Sequence, residues 1–201
     1  MPDATVVTGY VPLPCTHRTA ADYAALGARL LDVCQDAVFF RTPLHKCWLY
    51  RDGIVPGGKD SPAYHVVQHQ KSFWLAAAAA ATSSQTLVWI DYGAMHNAAL
   101  TATVVTEFLD AVARKPPDRI TSPSGIGGPP DASYPCWTFL GTVLAMPRSM
   151  AGWFHDQCVM ERPMPTTWEI NTWAAIHARS PEHFRLYAAD HNGTLMTRYA
   201  A

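Results

Sequence analysis

The run Leu87-Val88-Trp89-Ile90-Asp91-Tyr92-Gly93 constrains this chain more than any other segment. Four consecutive apolar residues read as a strand buried on both faces, as in a parallel sheet covered by helices. The run stops at a carboxylate followed by a glycine. That places Asp91 at the carboxyl end of a buried strand, where open α/β sheets bind their ligands. An unpaired buried carboxylate is costly, so Asp91 is expected to be hydrogen-bonded or bound to a cation. A turn-capping aspartate is the other reading that the local sequence allows.

The surrounding pattern supports a sheet of that kind. Thr5–Tyr10 reads as a first strand and Thr19–Cys34 as a helix with Leu26, Leu30 and Val33 at helical spacing. A short strand is expected at Ala37–Phe40, then a loop from Thr42 to Ser61 with a strand near Cys47–Tyr50. Ala63–Thr82 reads as a long helix whose alanine tract permits close packing, and Thr101–Lys115 as an amphipathic helix. Ile120–Pro135 is rich in Pro and Gly and reads as a long loop. Trp137–Met146 reads as a strand broken at Gly141. Helices near Ser149–Met160 and Thr167–Arg179 and a strand near Phe184–Tyr187 follow, closing on the tail Asp190-His191-Asn192-Gly193.

Together these predict a single α/β domain over residues 1–201: Rossmann-like, with a mixed, mostly parallel sheet flanked by helices. The 201 residues suffice for one substantial core. A net charge of −1 gives no global basic field for nucleic acid. Arg18, Arg41, Lys46, Arg51 and Lys59 nevertheless allow a local basic face and keep DNA among the possible partners. Five cysteines without a C-x-x-C pair argue for free thiols in a reducing compartment. No signal segment or membrane-length apolar run stands out, so a cytoplasmic protein is expected, with no membrane partner and no inferable obligate protein partner. The G-x-G-x-x-G fingerprint and the P-loop are both absent.

The candidate chemistry lies in few places. His65 and His69 are four apart on a helix, but Val66 stands where the zinc-protease pattern needs glutamate. Gln68 and Lys71 lie on the helix that leads into the Asp91 strand, and a lysine there suits a phosphate. In Thr166-Thr167-Trp168-Glu169-Ile170-Asn171-Thr172-Trp173, a threonine and Glu169 form a plausible helix cap. Two tryptophans flanking Glu-x-Asn equally suit a sugar pocket, with rings stacking on pyranose faces. His191 presents an imidazole suited to manganese or a similar ion.

The order of these motifs resembles GT-A-type glycosyltransferases: Val7-Thr8-Gly9-Tyr10 ending a strand, a lysine-bearing helix, Trp-Ile-Asp-Tyr-Gly, a strand with a central glycine, Trp-Glu-Ile-Asn, and Asp-His-Asn-Gly. The nearest likeness is to the YibB/HtrL-type proteins and, more distantly, the glycogenin-like group. It spans roughly Thr5 to Gly193. The resemblance implies transfer of a sugar from a nucleotide-diphospho-sugar donor to an acceptor. It implies Asp91 and His191 as ligands of a divalent cation, manganese or magnesium. It implies Glu169 and Asn171 as catalytic residues, and Thr8, Gly9, Tyr10, Gln68, Lys71, Asp91, Tyr92, Gly93, Trp137, Gly141 and Trp168 around the donor. Such enzymes usually carry two aspartates separated by one residue; here Gly93 holds the second place. A non-catalytic nucleotide-sugar-binding module is the alternative that this departure favours.

Overall fold

A computed structural model describes residues 4–13, 18–55, 57–58, 61–127, 134–161 and 167–199. Six strands form one sheet: β1 (Ala4–Tyr10), β2 (Val38–Arg41), β3 (Thr86–Ile90), β4 (Ile120–Ser124), β5 (Val143–Pro147) and β6 (Phe184–Ala188). Their order is β2-β1-β3-β5-β4-β6. β1 runs parallel to β2 and β3, and β4 parallel to β6; β5 is antiparallel to both of its neighbours.

The helices are α1 (Ala20–Val33), α2 (Pro62–Ala81), α3 (Ala102–Arg114), α4 (Ala151–Glu161), α5 (Glu169–Arg179) and the single turn α6 (Thr194–Thr197). Strand alternation divides the core into two layers. Val7, Leu87, Trp89, Leu144 and Met146 pack against α2, α4 and α5 through Trp74, Leu75, Phe154, Ile170 and Trp173. Val6, Val88, Ile90, Val143 and Ala145 pack against α1, α3 and α6 through Leu30, Val105, Phe108 and Leu195. β3 is therefore buried on both faces, as its unbroken apolar run requires.

Local chemistry sets the helix starts. Thr19 accepts from Asp22 N–H while the Asp22 carboxylate accepts from Thr19 N–H, a reciprocal cap on α1. Ser61 caps α2 with Pro62 at its first position, and Thr101 caps α3. From β1 the chain crosses to β2 on one side and returns through α2 to β3 on the other, so a crevice opens at the carboxyl ends of β1 and β3.

Three expectations are corrected. Cys47–Tyr50 is not a strand: Trp48 donates its backbone N–H to the Gln70 side chain and its indole N–H to His69 O, which ties the segment to α2 instead. Ile120–Ser124 is a strand although it contains Pro123. β4 meets β5 only at Thr121–Ala145, leaving Pro123 outside that ladder. The Trp137–Met146 strand begins only at Val143, because Trp137 takes the left-handed conformation, φ 53°, and Gly141-Thr142 turn. Among the described residues no helix is long and apolar enough to cross a membrane. Cys34, Cys47, Cys136 and Cys158 are buried free thiols, while Cys15 lies outside the described residues.

Candidate active site

The centre of the crevice is a lysine between two carboxylates. Lys71 arrives from α2, Asp91 follows β3, and Glu169 opens α5. The Lys71 ammonium donates to Asp91 Oδ1 at 3.0 Å, to Glu169 Oε1 at 2.8 Å and to Gly141 O at 2.9 Å. Its three protons thus meet three acceptors. The Lys71 and Glu169 side chains are each 4% exposed, whereas Asp91 is 31% exposed. Burial pulls Lys71 toward the neutral form, but the Asp91 and Glu169 charges outweigh it and raise its pKa. The indoles of Trp89 and Trp173 each lie 5.9 Å from the ammonium, adding a π-rich surround.

Each acid keeps one oxygen available. Asp91 Oδ1 takes Lys71 and the Trp89 indole N–H at 2.7 Å, and no hydrogen bond from the described residues reaches Oδ2. Glu169 Oε2 is buried and has no hydrogen-bond partner among the described residues. Such a group normally finds a partner, so its vacancy beside a cavity points to a ligand.

A cavity of about 250 Å³ opens onto the trio. It brings together Gly9, Tyr10, Gln68, Lys71, Asp91, Tyr92, Gly93, Trp137, Gly141, Trp168, Glu169 and His191 of the residues named from sequence. Two of those residues are not there. Thr8 is fully buried within β1, because its neighbours in the strand alternate and Gly9 and Tyr10 take the open end. Asn171 lies beneath the surface: it accepts from Cys136 N–H and donates to Tyr134 O and Thr167 Oγ1, clamping the loop before Trp137. The two tryptophans expected to form a sugar wall lie apart. Trp168 borders the cavity, but Trp173 is core, packed on Phe139 and Phe154. Glu169 stands in the first turn of α5 as the capping reading expects, but its side chain turns to Lys71, and the N-cap is Trp168, which makes no side-chain cap bond. Thr166, the other candidate cap, lies outside the described residues.

Two glycines have steric reasons. A Cβ on Gly9 would lie 2.4 Å from the Trp74 ring, and one on Gly141 would lie 2.5 Å from Glu169 Oε1. The His65/His69 pair is not a metal site. His69 Nδ1 donates to His65 O and its Nε2 accepts from the buried Thr172 hydroxyl. Burial lowers its pKa to about 4, so it is neutral.

Sequence reasoning named Tyr10 and Tyr92 here but missed the rings packed on them, Tyr23 and Phe39. Tyr10 stacks on Tyr92 with ring centroids 5.2 Å apart, Tyr92 on Phe39 at 5.0 Å, and Tyr23 from α1 closes on Tyr10 at 5.9 Å. Gly27 makes room for Tyr92, since a Cβ there would fall inside its ring. The signal was the tyrosine that ends β1 and the one two residues past the end of the neighbouring β3. Arg18, ahead of the α1 cap, is the cation at this mouth among the described arginines.

The cation expectation is tested by this donor set. Asp91 and His191 both border the cavity, but no three His, Cys, Asp or Glu side chains converge among the described residues. Lys71 already neutralises one Asp91 oxygen. Asp91 and His191 supply two donor groups, so a cation there would have to take its other ligands from phosphate and water and would not be held by protein alone.

No family model and no curated protein sequence matches this chain. Among solved structures it shares its fold with a glycosyltransferase involved in the glycosylation of the major capsid of PBCV-1. That likeness has a TM-score of 0.55 at 12% identity, over 92% of this chain and 82% of that one. A CMP:2-keto-3-deoxy-manno-octonic acid synthetase complexed with CTP aligns with TM-score 0.49 at 9% identity, over 92% of this chain and 89% of that one. The sheet and its helical layers are thus those of a GT-A-like α/β fold.

Proposed function

We propose that this protein is a glycosyltransferase that uses a nucleotide-diphospho-sugar donor. The observation that carries the reading is the Lys71–Asp91–Glu169 trio at the carboxyl ends of β1 and β3. Asp91 and Glu169 both line the cavity, and each has one carboxylate oxygen without a partner among the described residues, that of Glu169 buried. In this reading the nucleobase lies against Tyr10 and Tyr92, and Arg18 meets the phosphates. Glu169 faces the donor sugar, either taking the acceptor proton or steadying the sugar. Lys71 keeps both acids ionised and aimed. A manganese or magnesium ion held by Asp91 and His191 would neutralise the departing diphosphate when bound.

The absence of a three-ligand cluster among the described residues favours a second reading, a nucleotide-sugar-binding module without turnover. A thermal-shift panel of UDP-, GDP-, CMP- and dTDP-sugars, with and without manganese, tests the first step of both. Stabilisation by one nucleotide family is expected. Release of free sugar with a nucleoside diphosphate from a UDP-, GDP- or dTDP-sugar, or with CMP from a CMP-sugar, then marks an enzyme; binding without release marks the module. No stabilisation by any nucleotide would overturn both readings.

A further inference from the structure

Trp137 stands apart from every other aromatic residue in this molecule. The residue is 41% exposed, and what sets it apart is its backbone: it is the non-glycine residue with positive φ among those described, at 53°. That conformation is held from several sides. Asn171 fixes Tyr134 and Cys136 just before it, Gly125 N–H donates to Trp137 O, and Leu140 N–H donates to Pro123 O just after it. The imidazole of His191 meets the indole edge-on, centroids 5.0 Å apart at 86°. A large apolar ring kept exposed by a strained and clamped backbone points to a ligand.

Its position says which one. The sheet order puts Tyr10, Phe39 and Tyr92 on the β1–β2–β3 side of the trio. Trp137 stands on the β4–β5–β6 side, where it borders both the central cavity and an adjoining groove. The groove wall carries Asp190 and Asn192, both exposed. Asp190 Oδ1 and Asn192 Oδ1 accept bonds within the tail, and no described hydrogen bond uses Asp190 Oδ2 or Asn192 Nδ2. A flat apolar face beside a free acceptor and a free amide suits a pyranose ring with its hydroxyls. The groove carries one arginine, Arg198, which donates to Ala188 O, and one aspartate, Asp190, so its lining has no net positive charge to suit a polyphosphate chain.

We propose that Trp137 is the platform of an acceptor subsite and that the acceptor is a saccharide. This rests on the donor reading above, with the donor and acceptor entering from opposite sides of the trio.

The experiment uses the whole protein and a panel of methyl pyranosides (gluco, galacto, manno and N-acetylglucosamine) in saturation-transfer NMR, with UDP, GDP or CMP added in separate arms. The expected result is saturation of ring protons of at least one glycoside. The variant W137G suits φ 53° and so keeps the fold; it should weaken that glycoside about tenfold. W137Y should recover most of the affinity. Equal glycoside binding by wild type and W137G overturns the proposal. So does a panel in which no glycoside binds, or in which only a single-stranded oligonucleotide gives a Trp137-dependent signal. If glycosides bind through Trp137 while no nucleotide binds, the donor reading fails and the saccharide subsite stands.

Discussion

Lys71 and Glu169, ninety-eight positions apart, meet at 2.8 Å with both side chains almost wholly buried. The pair joins α2 to the first residue of α5, and Asp91 shares the same ammonium. The buried Glu169 carboxylate is tolerable only beside the Lys71 ammonium, and the buried ammonium only beside a carboxylate.

Removing the cation is therefore the severe change. Lys71→Met leaves two carboxylates facing each other without a counter-charge. It should cost about 3–5 kcal/mol in urea unfolding, the usual result of breaking a buried pair. The wild-type pH profile checks the same point. Because the folded pKa of Lys71 is raised, its contribution is fully present below the ordinary value of 10.5 and is lost as pH rises through the folded value. Wild type should lose stability above pH 10.5 more steeply than Lys71→Met. A Lys71→Met protein as stable as wild type would show that water, not lysine, solvates the acids.

Glu169→Gln separates chemistry from packing. The amide oxygen still accepts from Lys71, and Asp91 still balances its charge, so stability should fall by about 1–3 kcal/mol, as for a lost charged hydrogen bond. Donor turnover per folded molecule should fall by roughly 10²–10⁴, the usual cost of an acid–base group. Gly141→Ala approaches the same end differently, since its Cβ would crowd Glu169 Oε1. If turnover survives in both variants at saturating donor, Glu169 is structural only.

His69 gives an acid-side signature. Buried and neutral, with its pKa lowered to about 4, it must take up a proton on unfolding. A depressed histidine contributes stability that is present above the unfolded value of 6.5 and is lost as pH falls toward 4. Between pH 7 and pH 5 this alone removes about 2 kcal/mol. His69→Gln keeps a donor and an acceptor without the titration. It should flatten the profile by that amount in urea unfolding at the two pH values.

Much of this was legible in the sequence where one physical signal dominated. The β3 run was long, apolar and bounded, so its burial on both faces and the place of Asp91 followed from periodicity. The helices carried caps and spacing of their own. β4 was not legible, because Pro123 and the glycines after it carry a loop's composition, while the pairing with β6 that makes it a strand comes from residues sixty positions away. Asn171 was misassigned for a similar reason. Its type and its neighbour Glu169 suit a sugar pocket, but successive helical residues face different ways, and only the packed loop at Tyr134–Cys136 shows what it holds. Lys71 was placed near the donor by its helix, yet the ion pairs that define its role join three segments no local pattern connects.

The last prediction concerns how a cation would bind. Asp91 has one oxygen committed to Lys71 and Trp89, so it offers a divalent ion one oxygen, with the His191 imidazole as a second protein donor at the same cavity. Two donors leave most of a six-ligand shell to water and phosphate, and Lys71 lowers the attraction of the site for a bare cation. Manganese alone should therefore hardly change the melting temperature at millimolar concentration. Manganese with the matching nucleoside diphosphate should raise it more than the nucleotide does alone, because each ligand then completes the other's site. Asp91→Asn keeps the oxygen that faces Lys71 and Trp89 but replaces the free carboxylate oxygen with an amide. It should abolish the manganese-dependent part of the shift and leave the metal-free nucleotide shift largely in place. His191→Ala should reduce the same part without removing it, since the phosphates and Asp91 remain. A protein that binds manganese tightly with no nucleotide, or an Asp91→Asn protein with the full manganese shift, would move the cation away from Asp91.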